Sequence, residues 1–179
     1  MRILYTDNNE YKIVLNKSLR NSFLLKDSDI TDAKYNIAID IYNSLSTSVF
    51  SIKSNDIEIV NLIDTIETFL NYPNHFPDIF FSFAVPDTNM INKIIIFERY
   101  IPNGDNNLDI NSFGLDLYGI IRMKLYNYSY ITGNMVLVSS ILIDNNIENF
   151  LNALYEEFII DDNTGKVYND KITKYISIE

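Results

Sequence analysis

The sequence predicts an α+β fold: two amphipathic helices packed on a mostly antiparallel sheet of about seven to nine strands, in a single domain spanning residues 1–179. Three observations carry this expectation. Apolar residues alternate at period two along much of the chain, two stretches switch to the 3.6-residue period of a helix, and clusters of Asn, Asp, Gly and Pro punctuate the runs at short intervals. With 47% hydrophobic and 21% charged residues, a chain of 179 residues can bury a sizeable core and lacks the composition of a disordered segment.

Taken in order, residues 2–6 and 10–15 are short β-prone runs separated by Asp7-Asn8-Asn9, which predicts a first hairpin. The stretch 16–34 has no clear period. Ile37, Ile39 and Ile41 alternate with polar or small neighbours and predict a half-buried strand, and a further strand at about 48–53 follows a Ser/Thr-rich turn. Ile59, Leu62, Ile63, Ile66, Phe69 and Leu70 then fall on one helical face. Asn55 with Glu58 three residues on forms a capping-box pattern, and Pro73 and Pro77 end the helix near Tyr72.

The run 78–85 is apolar on both faces and predicts a central buried strand, with another at 92–101. Pro102 to Asn107 is a loop. Long β-type runs at about 115–130 and 134–143 meet at Thr132-Gly133-Asn134, a hairpin. The second helix, at about 146–158, places Ile147, Phe150, Leu151, Leu154 and Phe158 on one face behind an Asn145…Glu148 pair. Asp161 to Lys166 predicts a turn leading to a last strand. The stretches 36–71 and 121–158 both read strand, strand, helix, each with a Tyr-Asn pair (Tyr42-Asn43, Tyr126-Asn127), which suggests two ββα-like units.

Motifs for chemistry are missing. With no Cys, there is neither a thiolate nucleophile nor a Cys-ligated metal, and a reducing compartment is expected. The one His, His75, lies in a Pro-bounded loop near Asp78 and Ser82, without the Gly-x-Ser-x-Gly elbow of a hydrolase. Gly114 and Gly119 have the Walker spacing, but Ile120 and Ile121 stand where Lys and Ser/Thr are required. Asn103, Asp105, Asn107 and Asp109 alternate as calcium ligands could, but Leu108 replaces the turn Gly and no bidentate Glu follows. No catalytic residue, cofactor or metal is therefore expected. An enzyme working with carboxylates alone, from Asp40, Glu98 or Asp116, is the residual catalytic alternative.

Charge is more informative. The abundance of Ile, Asn and Tyr follows from an AT-rich coding sequence, which should also raise Lys; instead 14 Lys and Arg face 24 Asp and Glu, a net charge of −10. Such a surface repels nucleic acid and anionic membranes and suits a basic protein partner. The first ten residues hold no apolar run of signal-peptide length and no stretch approaches a membrane span, so a cytoplasmic protein is expected.

Two surfaces emerge as candidate contacts. From Ser54 to Asn92 and from Leu125 to Gly165 the charged residues are all acidic, so Glu58, Asp64, Glu67, Glu148, Glu156 and Glu157 would give the two helices uniformly negative outer faces. Tyr118, Tyr126, Tyr128 and Tyr130 share parity with Arg122 and Lys124 and would share one sheet face, with the residue types of binding hot spots. The expected function is a non-catalytic, acidic protein-binding protein. Its most concrete form is an inhibitor of the immunity or antitoxin type that neutralises a basic or nucleic-acid-acting protein. A structural or assembly subunit forming a homo-oligomer, through the Tyr-bearing face or an exposed strand edge, is the alternative.

Overall fold

A computed structural model describes residues 1–6, 9–19, 35–73, 75–84, 89–99, 121–143 and 146–158. The chain runs β1 (Arg2–Tyr5), β2 (Tyr11–Leu19), β3 (Tyr35–Asn43), β4 (Ser48–Asn55), α1 (Asp56–Asn71), β5 (Asp78–Ser82), β6 (Ile91–Arg99), β7 (Ile121–Ser129), β8 (Met135–Leu142) and α2 (Asn146–Phe158). The architecture is α+β, with two helices and eight antiparallel strands among the described residues.

The strands form two sheets rather than the one expected. Sheet 1 has the order β1-β2-β3-β4 and sheet 2 the order β5-β6-β7-β8. All pairs are sequence neighbours, so pairing is local within each meander, and α1 carries the chain away from β4 before β5 begins. Edges β4 and β8 come close without forming a ladder. The run starting at Asp78 is correspondingly an edge strand among the described residues, not a central one: β5 pairs there with β6 alone, and Phe80 is 69% exposed.

Turn chemistry explains the hairpins. Asn9 takes φ 52° between β1 and β2, and its N–H donates to the Thr6 carbonyl. Between β3 and β4 the Asn43 carboxamide accepts from the N–H groups of Leu45 (3.1 Å) and Thr47 (2.9 Å), an Asx turn. Gly133, at φ 71°, closes β7 onto β8 in the left-handed region that glycine adopts without steric cost.

Each helix buries the predicted face. Ile59, Leu62, Ile63, Ile66 and Phe69 of α1 are all fully buried, as are Ile147, Phe150, Leu154 and Phe158 of α2; Leu70 and Leu151 sit at the margin. The first turn of α1 differs from a reciprocal capping box. Asn55 Oδ1 accepts from the Glu58 N–H at 2.9 Å, but the Glu58 carboxylate turns away, accepting from Ser54 Oγ and from the Ala84 N–H beyond β5. Asn145 lies outside the described residues. One hydrophobic cluster runs through both sheets and both helices, and Phe69 of α1 stacks at 6.3 Å on Phe97 of β6. Along the chain's second half, α2 reaches back to contact β1 and β2 of sheet 1, while α1 contacts β3, β4, β5 and α2.

The two halves share their internal register. In sheet 1, Ile39 lies between Leu15 and Ile52; in sheet 2, Met123 lies between Phe97 and Ile141; all six are buried. A bulge follows Ile41 in the β3–β4 ladder and Leu125 in the β7–β8 ladder, immediately before Tyr42 and Tyr126. The order repeated along the chain is thus four strands and a helix, of which the stretches 36–71 and 121–158 contain the last two strands and the helix.

Candidate protein-binding surfaces

The acidic helix residues are largely engaged within the molecule. Glu58 is buried at 8% exposure and holds the bonds described above. Glu67 of α1 accepts from the Tyr155 hydroxyl of α2 at 2.5 Å, joining the helices. Glu156 pairs with Arg2, and Glu157 with the N-terminal ammonium at 2.8 Å, so both fasten α2 to the start of β1. Asp64 is half-buried, and Glu148 is exposed in the first turn of α2, where its charge complements the helix dipole.

The tyrosines are assembled differently. Tyr118 lies outside the described residues. Arg122, Lys124, Tyr126 and Tyr128 alternate along β7 on the face of sheet 2 opposite the core, since Ile121, Met123 and Leu125 point inward and are buried. Tyr130 follows the strand and joins them, its ring edge-on to Tyr128 at 5.3 Å and its hydroxyl accepting from Asn92 Nδ2 at 3.2 Å. Asn92 also donates to Ser82 Oγ at 2.7 Å, which explains how a buried carboxamide is tolerated there.

Directly opposed residues of an antiparallel pair share a face, so the registers lay out this surface in rows across the sheet. Phe80, Ile96, Lys124 and Ser140 form one row, and Ser82, Ile94, Tyr126 and Leu137 the next. Asp78, Glu98, Arg122 and Leu142 form the row beyond, where the Glu98 carboxylate pairs with Arg122 Nε at 3.1 Å and Lys124 Nζ at 2.8 Å. Two acids face two bases, and charge is balanced. Besides these charges and Ser82, Asn92 and Ser140, the surface is apolar and open: Phe80 is 69% exposed, Leu142 55%, Met135 51% and Leu137 48%.

The outer face of sheet 1 has the same geometry and also carries Ile3, Tyr5 and Val14, but it is more polar at three matched positions. Tyr42 is flanked there by Lys12 and Ser48, and Ala38 by Asn16 and Lys53. At the matching register in sheet 2, Tyr126 is flanked by Ile94 and Leu137, and Arg122 by Glu98 and Leu142. Lys12, Ser48 and Lys53 are thus replaced by Ile94, Leu137 and Leu142.

The remaining candidates stand apart. Asp40, accepting from Ser51 Oγ at 2.5 Å, and Glu98 lie on different sheets, and Asp116 is outside the described residues. His75 sits in the loop after α1 with its ring near Tyr72. The glycine pair at 114 and 119 and the acidic turns at 103–109 and 161–165 also fall outside the described residues. A cavity of about 340 Å³ lies between β1 and α2, and its charged lining residues, Arg2 and Glu156, are paired with each other. Among the described residues no group of three or more His, Asp or Glu converges as a metal site, and no helix is long and apolar enough to cross a membrane.

Comparison with known protein families, curated proteins and solved structures finds no match. The surface must therefore be read from its own chemistry. One signal of it is present in the sequence: no charged residue occurs from Leu125 to Ile143, although the chain is 21% charged overall. That gap marks the β7–β8 hairpin, whose exposed tip and edge carry Ile131, Met135, Val136 and Leu137.

Proposed function

We propose that the protein acts by binding another protein, and that its contact is the outer face of sheet 2 together with the adjoining β7–β8 hairpin. The observation that supports this most is the contrast at three register-matched positions: Lys12, Ser48 and Lys53 on the outer face of sheet 1, Ile94, Leu137 and Leu142 on that of sheet 2. We read the two ββββα halves as an internal duplication, so that sheet 1 shows what this scaffold places against water. Edge strands of soluble proteins are normally blunted by charge or proline; β8 has neither, and its edge is approached by β4 without a ladder. Exposed apolar patches rimmed by polar groups mark interaction sites, and Tyr supplies contact area with a hydroxyl for orientation.

An inhibitor of the immunity or antitoxin type and an assembly subunit would both use such a face. They differ in what holds the complex. An acidic inhibitor steering a basic partner through its helices would depend on charge, whereas Glu58, Glu67, Glu156 and Glu157 are engaged internally. The balanced, apolar face of sheet 2 makes binding by buried area the better supported reading.

The test is affinity purification from the native cell with the wild-type chain, a Phe80→Lys/Leu137→Lys variant and a Glu148→Lys variant, each with its fold checked by circular dichroism. The expected result is a partner held by wild type and Glu148→Lys at high salt and lost from the sheet variant. A partner kept by the sheet variant, or released by salt and by Glu148→Lys, would refute the reading in favour of charge-driven binding.

A further inference from the structure

We propose that the outer face of sheet 2 is covered by the same face of a second copy of this chain, giving a twofold dimer in which the two sheets stack as a β-sandwich. The inference rests on the reading of that face as protein-binding and names its occupant.

Layer structure motivates it. Among the described residues, the helix packed on sheet 2 lies on its inner side: Phe69 of α1 meets Phe97, and Arg99 lies 4.1 Å over the Phe69 ring. An antiparallel sheet with apolar residues on both faces is the inner sheet of a two-sheet stack. Contact through one face related by a twofold axis is self-complementary by construction, so a single patch completes it.

Charge decides between a copy and an unrelated acid-seeking partner. Two chains of charge −10 repel wherever their acidic surfaces approach. This face carries none of that excess, because Asp78 and Glu98 are matched by Arg122 and Lys124, and nothing from Leu125 to Ile143 is charged. The acidic helices lie on the other side of the sheet. With layers about 10 Å apart, stacking puts the two sets of helices roughly 30 Å from each other, several times the Debye length of about 8 Å at physiological ionic strength. A basic partner would find no net negative charge to select on this face; a second copy would meet no net-charge repulsion there and would bury Glu98 still paired with Arg122 and Lys124, which offsets part of its desolvation cost.

Area sets the strength. Four strands about 4.8 Å apart and about eight residues long at about 3.3 Å per residue give a footprint of roughly 500 Å² per copy, or about 1,000 Å² in total. That reaches the lower end of specific interfaces, so the dimer should be reversible and dependent on concentration.

The experiment is sedimentation equilibrium of the full chain over a wide concentration range, at low and high salt. The expected mass moves from one chain, 20.8 kDa, toward two as concentration rises, and salt does not reverse it. Leu137→Lys should hold the protein at one chain with its circular dichroism unchanged, and Lys53→Glu, on the matching face of sheet 1, should leave the dimer intact. Because the chain has no cysteine, Leu137→Cys and Lys53→Cys can each carry one spin label; dipolar coupling is expected at 137 and not at 53. If Leu137→Lys fails to fold, the conservative labelled variants still decide. A chain that stays monomeric throughout overturns the second copy while leaving the protein-binding reading to the affinity experiment. A dimer coupled at 53, or indifferent to Leu137→Lys, places the interface elsewhere and also overturns it.

Discussion

Removing the Glu58 carboxylate should destabilise the fold far more than removing Glu148, its counterpart in the first turn of α2. Its two oxygens accept from Ser54 Oγ and the Ala84 N–H, tying the end of β4 and the first turn of α1 to the segment after β5. A hydrogen bond to a charged group contributes about 1.5–3 kcal/mol, and an acid in the first turn of a helix about 0.3–1 kcal/mol more. Ser54 is half-buried and Ala84 exposed, so water partly replaces the lost acceptors and the lower end applies. We expect Glu58→Ala to cost about 2–4 kcal/mol, and Glu58→Gln, which keeps one carbonyl acceptor for Ala84, about half as much. Glu148→Ala, exposed on α2, should cost only the dipole contribution. Urea titration followed by circular dichroism measures this directly, as a fall of roughly 1 M or more in the midpoint at unchanged slope. The reasoning is refuted if Glu58→Ala unfolds within about 0.5 kcal/mol of wild type, or if Glu58→Gln is no better than Glu58→Ala.

Two further perturbations test how the ends of elements are held. α1 has no basic residue in its last turn, and Arg99 of β6 serves instead, its guanidinium donating to the carbonyls of Phe69 (2.7 Å) and Phe76 (3.0 Å). Arg99→Ala should therefore cost about 2–3 kcal/mol in thermal or urea melting, with Arg99→Lys recovering only part because the planar fork is lost. Gly133→Ala meets no atom within 4 Å of the added Cβ, so its effect is purely conformational. At φ 71° it should cost about 1–2 kcal/mol, and Gly133→Asn less; an unchanged melting temperature for the alanine variant would refute this.

Local patterns predicted local structure well. The alternating Ile37, Ile39 and Ile41 are the buried side of β3, and the i, i+3, i+4 spacing from Ile59 marks the buried face of α1. What escaped depended on partners distant in sequence. Ladder formation between β4 and β8 would have made one sheet of eight strands, and no periodicity reports whether two edges pair. Phe80 reads as core because its neighbours are apolar, yet among the described residues β5 has a strand on one side only, and Phe80 is 69% exposed. Glu58 and Glu148 look alike in sequence, and only the fold brings Ala84 to the first. The tyrosine parity along β7 survives because the bulge between Leu125 and Tyr126 is taken up in the β8 register. The sharper sign of that surface, the absence of charge from Leu125 to Ile143, is a statement about what is missing and carries no period.

The two outer faces allow one experiment in which the molecule serves as its own control. Sheet 1 holds Lys12, Ser48 and Lys53 where sheet 2 holds Ile94, Leu137 and Leu142, around the register-matched Tyr42 and Tyr126. Lys12 contributes there by placing its ammonium 5.0 Å from the Tyr42 ring, a contact compatible with solvent. If the apolar set in sheet 2 serves binding rather than folding, then Ile94→Lys/Leu137→Ser/Leu142→Lys should fold to within about 1–2 kcal/mol of wild type, since large effects require a buried or unsatisfied group and these side chains face outward. The same variant should lose self-association and partner capture together. The reverse set in sheet 1, Lys12→Ile/Ser48→Leu/Lys53→Leu, should create concentration-dependent association that the wild-type face lacks. A sheet 2 variant that cannot fold would mean the residues belong to the core of the protomer. One that folds and still associates would mean that the difference between the halves has no bearing on binding.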